Sequence, residues 1–75
     1  MNQHKKWDKE IEELESFFSS VVLPATPVFL SKGVIIRDSE LFVKSHLDTV
    51  KQNNGNDTFL PYLQRLITFK IILKQ

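Results

Sequence analysis

The fold is decided largely by residues 45–66, which read SHLDTVKQNNGNDTFLPYLQRL. An apolar segment with helical periodicity, an Asn-Asn-Gly-Asn run and a second periodic segment follow one another in this stretch. Gly55 suits the left-handed position that ends many helices, and asparagine also tolerates that conformation. We therefore predict two helices joined by a tight turn, with four structural turn residues: Asn53, Asn54, Gly55 and Asn56.

The third predicted helix spans residues 58–73. Its apolar residues recur at helical spacing on one side: Phe59, Leu63, Leu66, Phe69 and Leu73. Thr58 fits as its cap, because Pro61 then falls in the first turn, where a missing N–H costs least. Residues 67–73 are apolar on most sides, so we expect either the segment before the second helix or another chain to cover them.

Two further helices are predicted upstream. The first spans residues 7–19 and ends before Pro24; its apolar face consists of Trp7, Ile11, Leu14, Phe18 and Val21. The second spans residues 38–53, where Asp38 or Ser39 can cap the N-terminus. Its apolar stripe consists of Phe42, Val43, Leu47 and Val50.

The segment between the first two helices contains two prolines three positions apart, which forbid a helix there. We expect residues 21–37 to cross the helices as an extended strap; a Pro-x-x-Pro ligand for an SH3-type domain is the less favoured alternative. Residues 28–30 and 34–36 are apolar and flank Ser31-Lys32-Gly33, a loop that fits a short β-hairpin. The predicted fold class is therefore mostly α: a small three-helix domain with an extended Pro-containing strap or short β-hairpin between helices 1 and 2.

The composition indicates one small globular domain. Of the 75 residues, 41% are hydrophobic and 25% are charged, with a net charge of +1. The absence of cysteine excludes a disulfide framework and a Cys-ligated zinc site, and no apolar run reaches the roughly 18 residues of a membrane span. We expect a flexible N-terminus over residues 1–6, a single domain over residues 7–75, a whole short reading frame and a cytoplasmic location.

Charge is segregated along the chain. Residues 8–15 hold five acids and one lysine, whereas residues 58–75 hold three basic residues and no acid. The favoured interpretation is two faces that attract each other when packed side by side. The alternative is that each face binds an oppositely charged partner.

The central motif resembles that of a bacterial family of short domains of unknown function. In that family a helix carrying S-H-L-x-T-x-K leads through N-N-G-N into F-L-P-Y-L-x-R-L, which is the order seen in residues 45–66. The resemblance extends over residues 11–70. It implies a complete domain and no assigned activity.

The sequence offers little support for catalysis. Ser45, His46 and Asp48 suggest a hydrolase, but adjacent helical residues point about 100° apart, so we do not expect Ser45 to hydrogen-bond to His46. We expect His46 to border the core and to bond one ring nitrogen to a nearby backbone or side-chain oxygen; a pH-sensitive hydrogen bond is a further alternative. For residues 53–56, turn chemistry is favoured over an anion site.

The leading functional hypothesis is a non-catalytic cytoplasmic interaction or accessory module, without a cofactor or metal. Its partner is an unknown protein or a second copy, and the candidate interaction residues are His46, Lys51, Tyr62, Arg65 and Lys70. The alternative is a small nucleic-acid-binding regulator, for which Lys51, Arg65, Lys70 and Lys74 would form one basic patch. The net charge of +1 gives this alternative little attraction to phosphates.

Overall fold

The computed structural model describes residues 7–53 and 57–75. In chain order the elements are α1 (Asp8–Ser20), β1 (Val28–Ser31), β2 (Val34–Ile36), α2 (Ser39–Gln52), a 3-10 turn (Asp57–Phe59) and α3 (Leu60–Lys74). The predicted fold class is confirmed, because three helices carry most of the chain and a two-stranded antiparallel hairpin lies between the first two.

The centre of the fold is α3, which packs against α1, α2 and β1. Trp7, just before α1, meets Phe59, just before α3, with ring centroids 6.2 Å apart. Phe18 and Phe69, further along the two helices, stack at 5.6 Å. Since both contacts proceed in chain order, α1 and α3 run parallel.

The second helix runs antiparallel to α3. Phe42 near the start of α2 meets Phe69 near the end of α3, with ring centroids 5.7 Å apart. His46, one turn later, meets Tyr62 near the start of α3 at 5.3 Å. The two helices predicted from residues 45–66 therefore pack as an αα-hairpin.

The core is formed by the apolar faces that the periodicity predicts, together with one inward residue from each strand. Twelve buried hydrophobic side chains compose it within the described residues: Ile11, Leu14, Phe18, Leu30, Ile36, Val43, Leu47, Val50, Phe59, Leu63, Leu66 and Phe69. Removing such a side chain from water stabilises the fold by about 1.5–3 kcal/mol.

The hairpin differs from the prediction by one residue. Ser31 pairs with Val34, so it belongs to β1, and the connecting loop is Lys32-Gly33 rather than three residues. Gly33 has a φ of +78°, a conformation that a side chain would strain. A register shift between Phe29 and Ser31 accompanies the turn, as expected for a bulged hairpin.

The hairpin packs on α3 as the first of the two alternatives expects, but residues 67–73 are only partly covered, since Phe69 alone among them is fully buried. β1 packs on α3, and the hairpin contributes Leu30 and Ile36 to the core. α3 thus packs against α1, α2 and β1, although its residue Ile71 remains 54% exposed.

The ends of α2 follow the local sequence. Asp38 is its N-cap, and the Asp38 Oδ1 accepts a hydrogen bond from the Leu41 N–H at 3.1 Å. Asn53 is its C-cap, and both its backbone N–H and its Nδ2 donate to the Thr49 carbonyl, at 3.0 and 2.9 Å. The other three predicted turn residues, Asn54, Gly55 and Asn56, lie outside the described residues.

The start of α3 differs from the prediction. Thr58 does not cap the α-helix, because Asp57–Phe59 forms a 3-10 turn and Phe59 occupies the N-cap position. A 3-10 turn is a common way for a helix to begin. Pro61 falls in the first turn of α3 as predicted.

Candidate interaction surface

Three of the predicted interaction residues meet where α2 contacts α3. The His46 ring stacks on Phe42 with centroids 3.9 Å apart, and its other neighbour is Tyr62 at 5.3 Å. The Arg65 Cζ lies 5.5 Å from the Tyr62 ring centroid, within the range of a cation–π contact. The antiparallel packing therefore brings His46, Tyr62 and Arg65 together.

The hydrogen bond of His46 fixes its tautomer. Its Nδ1 lies 2.8 Å from the Phe42 carbonyl oxygen. A carbonyl only accepts, so the proton is on Nδ1 and Nε2 is an acceptor. That Nε2 is buried and has no hydrogen-bond partner among the described residues. The predicted bond from a ring nitrogen to a backbone oxygen is confirmed.

The same surroundings keep the imidazole neutral. Burial lowers the pKa of His46 below its ordinary value of 6.5, because a charged ring would lose hydration. The bond to the Phe42 carbonyl opposes this pKa shift, and the positive charge of Arg65 reinforces it.

Ser45 lies closer to His46 than the sequence predicts. The Ser45 Oγ is 3.4 Å from the His46 Nδ1, because the hydroxyl turns back along the helix to donate to the Phe42 carbonyl at 3.2 Å. The two side chains are therefore within hydrogen-bond distance, which the sequence argument does not expect. The Nδ1 proton is nevertheless directed to the same carbonyl, so this nitrogen has no lone pair with which to take a proton from Ser45.

Two of the four basic side chains predicted as one patch, Lys51 and Lys70, contact different sides of α1. Lys51 of α2 forms an ion pair with Glu15 of α1. The Lys70 Nζ lies 5.6 Å from the ring centroid of Phe17, also on α1. The acidic first helix and the basic third helix do pack side by side, but the ion pair of Glu15 is made with α2.

A groove that the sequence reasoning missed runs along the seam between α1 and α2, and we call it the α1–α2 groove. Two adjoining hollows of about 190 and 250 Å³ form it, and they share Glu15 and Lys51. From α1 they are lined by Asp8, Ile11, Glu12, Glu15, Phe18 and Ser19. From α2 they are lined by Glu40, Val43, Lys44, Leu47, Asp48 and Lys51.

The floor of the α1–α2 groove consists of apolar core side chains that are almost completely buried. Its core side chains keep a residual exposure of 5–8%: Ile11, Phe18, Val43 and Leu47. By comparison, Leu14, Val50 and Leu66 have none. The packing between α1 and α2 therefore leaves slightly more of its core side chains exposed to solvent than the packing around those three residues does.

The two rims of the groove differ in charge. The α1 rim carries Asp8, Glu12 and Glu15 and no basic residue. The α2 rim alternates in charge along the helix, in the order Glu40, Lys44, Asp48 and Lys51. The ion pair between Glu15 and Lys51 joins the rims.

The groove widens at the start of α2. A hollow of about 670 Å³ adjoins it there, between residues 18–25 and residues 37–40. It shares Phe18, Ser19, Leu23 and Glu40 with the narrower part. Ser39 lines this wide end and is 4% exposed, and its Oγ has no hydrogen-bond partner among the described residues.

The hairpin presents a second apolar surface. Phe29 and Ile35 are directly paired across the strands, and they are 73% and 43% exposed. Three more large hydrophobic residues are exposed near the end of α1, the start of α2 and the end of α3: Val22, Leu41 and Ile71. The helix directions place these segments at the same end of the bundle as the hairpin.

The chain matches a known family model. A family model described as "Domain of unknown function (DUF6965)" matches residues 9–75. No curated protein and no solved structure matches the chain. Among the described helices, none combines the length and the apolar character needed to cross a bilayer. Residues 7–53 and 57–75 hold no group of three or more His, Asp or Glu side chains that could bind a metal ion.

Proposed function

The chain belongs to the family described as "Domain of unknown function (DUF6965)", and we propose that it is a non-catalytic cytoplasmic protein-interaction module whose binding site is the α1–α2 groove. The observation that supports this proposal is an elongated groove between α1 and α2 whose rims are charged and are joined by an exposed ion pair. The groove follows α1, a helix of 13 residues, over about 20 Å at 1.5 Å per residue. An elongated groove with a hydrophobic floor suits a segment of another protein.

The shape favours a macromolecular partner over a small substrate. Small-molecule sites usually enclose their ligand and direct a few polar groups at it. The α1–α2 groove is instead open along its length, and its charged side chains lie on the rims. His46, the residue that most suggests catalysis, lies at the α2–α3 contact and does not line the groove.

Nucleic-acid binding receives less support. Counterion release requires several cations that reach phosphates together. Lys51 is already paired with Glu15, whereas Arg65 lies over Tyr62 and Lys70 over Phe17. These positions do not place the three cations on one continuous basic surface.

Photo-cross-linking with benzoyl-phenylalanine tests the proposal in cells. Ser19 and Lys44 are exposed on opposite sides of the groove, whereas Lys32 and Gln64 are exposed outside it. We expect the probe at Ser19 and at Lys44 to capture the same protein, identified by mass spectrometry. We expect no such adduct from the two control positions. Adducts from the control positions alone, or from neither rim, would refute the groove as the binding site.

A further inference from the structure

We infer that the outer face of the β-hairpin binds a second copy of this chain, so that the protein forms a two-fold symmetric dimer. This inference goes beyond the proposed function, because the strands of the hairpin line neither hollow of the α1–α2 groove. Three observations carry it: the exposure of the hairpin, the apolar surface at the same end of the bundle, and the charges at the two ends of the hairpin.

The outer face of the hairpin is apolar. Because side chains alternate along a strand, Phe29 and Ile35 point away from the core, whereas their neighbours Leu30 and Ile36 are buried in it. Phe29 is 73% exposed and Ile35 is 43% exposed, and the two are directly paired across the strands. An antiparallel sheet with one face on a core usually turns polar side chains to water. We call this uncovered pair the hairpin face.

The hairpin face belongs to a larger apolar surface. Of the seven exposed large hydrophobic residues in the described part of the chain, five lie at this end of the bundle. Besides the Phe29–Ile35 pair they are Val22, Leu41 and Ile71, which are 91%, 62% and 54% exposed. A monomer rarely exposes so much apolar surface in one region, and such a surface is typical of an interface.

The size of this surface suits a partner as small as the chain itself. A stable interface takes about 800 Å² from each partner, roughly one-seventh of the 5342 Å² that the chain exposes. The hairpin face alone cannot supply that area. The five exposed hydrophobic side chains, with the polar surface between them, provide the apolar part of such an interface.

Charge favours a second copy in one orientation. The two strands carry no charge, and the turn between them carries Lys32. The base of the hairpin carries Arg37, Asp38 and Glu40, with a net charge of −1. Lys32 and Glu40 are exposed, and neither forms an ion pair among the described residues. The two ends of the hairpin are therefore complementary to each other, as a symmetric partner requires.

A two-fold axis across the strands brings these ends together. Lys32 lies three residues beyond Phe29, and Asp38 lies three residues beyond Ile35. Because the strands are antiparallel, the two steps lead in opposite directions from the pair, by about 10 Å each at about 3.3 Å per residue. When two hairpins stack face to face in opposite directions, the turn of each lies over the base of the other. The alternative, turn over turn, would oppose two lysines.

Light scattering of the full chain tests the dimer. We expect the mass to rise from the monomer's 8.8 kDa toward twice that value between about 1 µM and about 1 mM. Phe29→Ser should weaken dimerisation about tenfold or more, because each dimer buries this side chain twice.

Leu60→Ser is the matched control for Phe29→Ser. Leu60 is 39% exposed, close to the value for Ile35, but it begins α3 at the opposite end of the bundle. Its replacement should change dimerisation by less than about twofold. Circular dichroism of both variants shows whether the fold is intact, as we expect when an exposed side chain is replaced.

A charge swap tests the orientation. Lys32→Glu and Glu40→Lys should each weaken dimerisation about threefold or more, and the double variant should restore it to within about twofold. Lys9→Glu is the control for net charge, because Lys9 is exposed near the start of α1, at the opposite end of the bundle. It should have little effect.

A mass that stays at 8.8 kDa up to about 1 mM would overturn the inference. A dimer that Phe29→Ser leaves intact, or a charge-swap loss that the double variant does not restore, would overturn it as well. Co-sedimentation of a monomeric chain with phosphatidylserine vesicles, abolished by Phe29→Ser, would assign the hairpin face to a lipid surface instead.

The proposed function is tested separately. It stands or falls with the cross-links from Ser19 and Lys44, whatever the mass of the chain in solution. A probe at Lys32 should yield adducts of the chain with itself, and mass spectrometry distinguishes these adducts from those with the groove partner.

Discussion

Glu15 of α1 and Lys51 of α2 form an ion pair that joins two helices across an apolar seam, and both side chains remain 44% exposed. Ion pairs in such positions contribute about 0.2–1 kcal/mol because water and salt screen them. The ion pair therefore lies across the contact between α1 and α2 but contributes little to holding the two helices together. The folded state depends instead on the apolar contacts with α3.

The ion pair is expected to matter little for stability. Glu15→Gln and Lys51→Gln should each lower the free energy of unfolding by less than about 1 kcal/mol. Urea titrations followed by circular dichroism measure this, and the loss should shrink further in 1 M NaCl, roughly the salt that shortens the Debye length to about 3 Å. A loss above about 2 kcal/mol would show that the pair is structural.

Stability should depend on pH through His46. Because the pKa of His46 in the folded protein is below 6.5, the unfolded chain binds a proton that the folded protein does not, in the window between that lower pKa and 6.5. The free energy of unfolding therefore rises with pH across this window. His46→Gln should flatten the rise in urea titrations at about pH 5 and about pH 7.5.

His4 is present in both proteins, so its own titration cancels in the comparison. In a plot of the free energy of unfolding against pH, the slope of the wild type should exceed that of His46→Gln. Equal slopes, or a wild type that is more stable at acid pH, would contradict both the neutral tautomer and the unpaired Nε2.

The centre of the core should tolerate truncation poorly. Leu66 is fully buried on α3, so Leu66→Ala should cost about 2–5 kcal/mol. The total stability of a chain of this length is only about 4–11 kcal/mol, so thermal unfolding should shift by many degrees. Ile71→Ala on the same helix is the control, since Ile71 is 54% exposed and should cost less than about 1 kcal/mol. Similar losses for the two variants would place the core elsewhere.

The stability cost of a substitution at Gly33, in the hairpin turn, should depend on backbone conformation alone. Gly33 has a φ of +78°, and a Cβ added there would meet no atom within 4 Å. Gly33→Ala should therefore destabilise by about 1–2 kcal/mol through strain, without a steric clash. Gly33→Asn should cost less, because asparagine tolerates the left-handed region. Urea titrations compare the two variants, and an equal cost would indicate a different cause.

Much of the fold follows from local patterns in the sequence. Spacings of three and four residues locate the three helices and nearly all of the core, and paired apolar triplets around Gly33 locate the hairpin. The errors lie at element ends. Thr58 is a good cap in isolation, but a 3-10 turn moves the start of the α-helix to Leu60. Ser31 joins β1 because pairing with Val34 satisfies its backbone.

The candidate site is harder to predict from the sequence than the fold is. Periodicity identifies Ile11, Phe18, Val43 and Leu47 as core residues, but it does not show that they line a groove between α1 and α2. One signal was present: Asp8, Glu12, Glu15 and Ser19 border the Ile11–Phe18 stripe at helical spacing. The nucleic-acid alternative groups Lys51 with the basic residues of α3, since only tertiary packing shows that Lys51 lies opposite Glu15.

The most direct test of the groove is a map of where the protein captured by the rim cross-links binds. Titrating the ¹⁵N-labelled full chain with that protein identifies the backbone amides whose chemical shifts move. We predict that the shifts concentrate in residues 11–19 and 40–51 and leave residues 28–36 unchanged. Shifts confined to the hairpin, around the exposed Phe29 and Ile35, would contradict the assignment of binding to the α1–α2 groove.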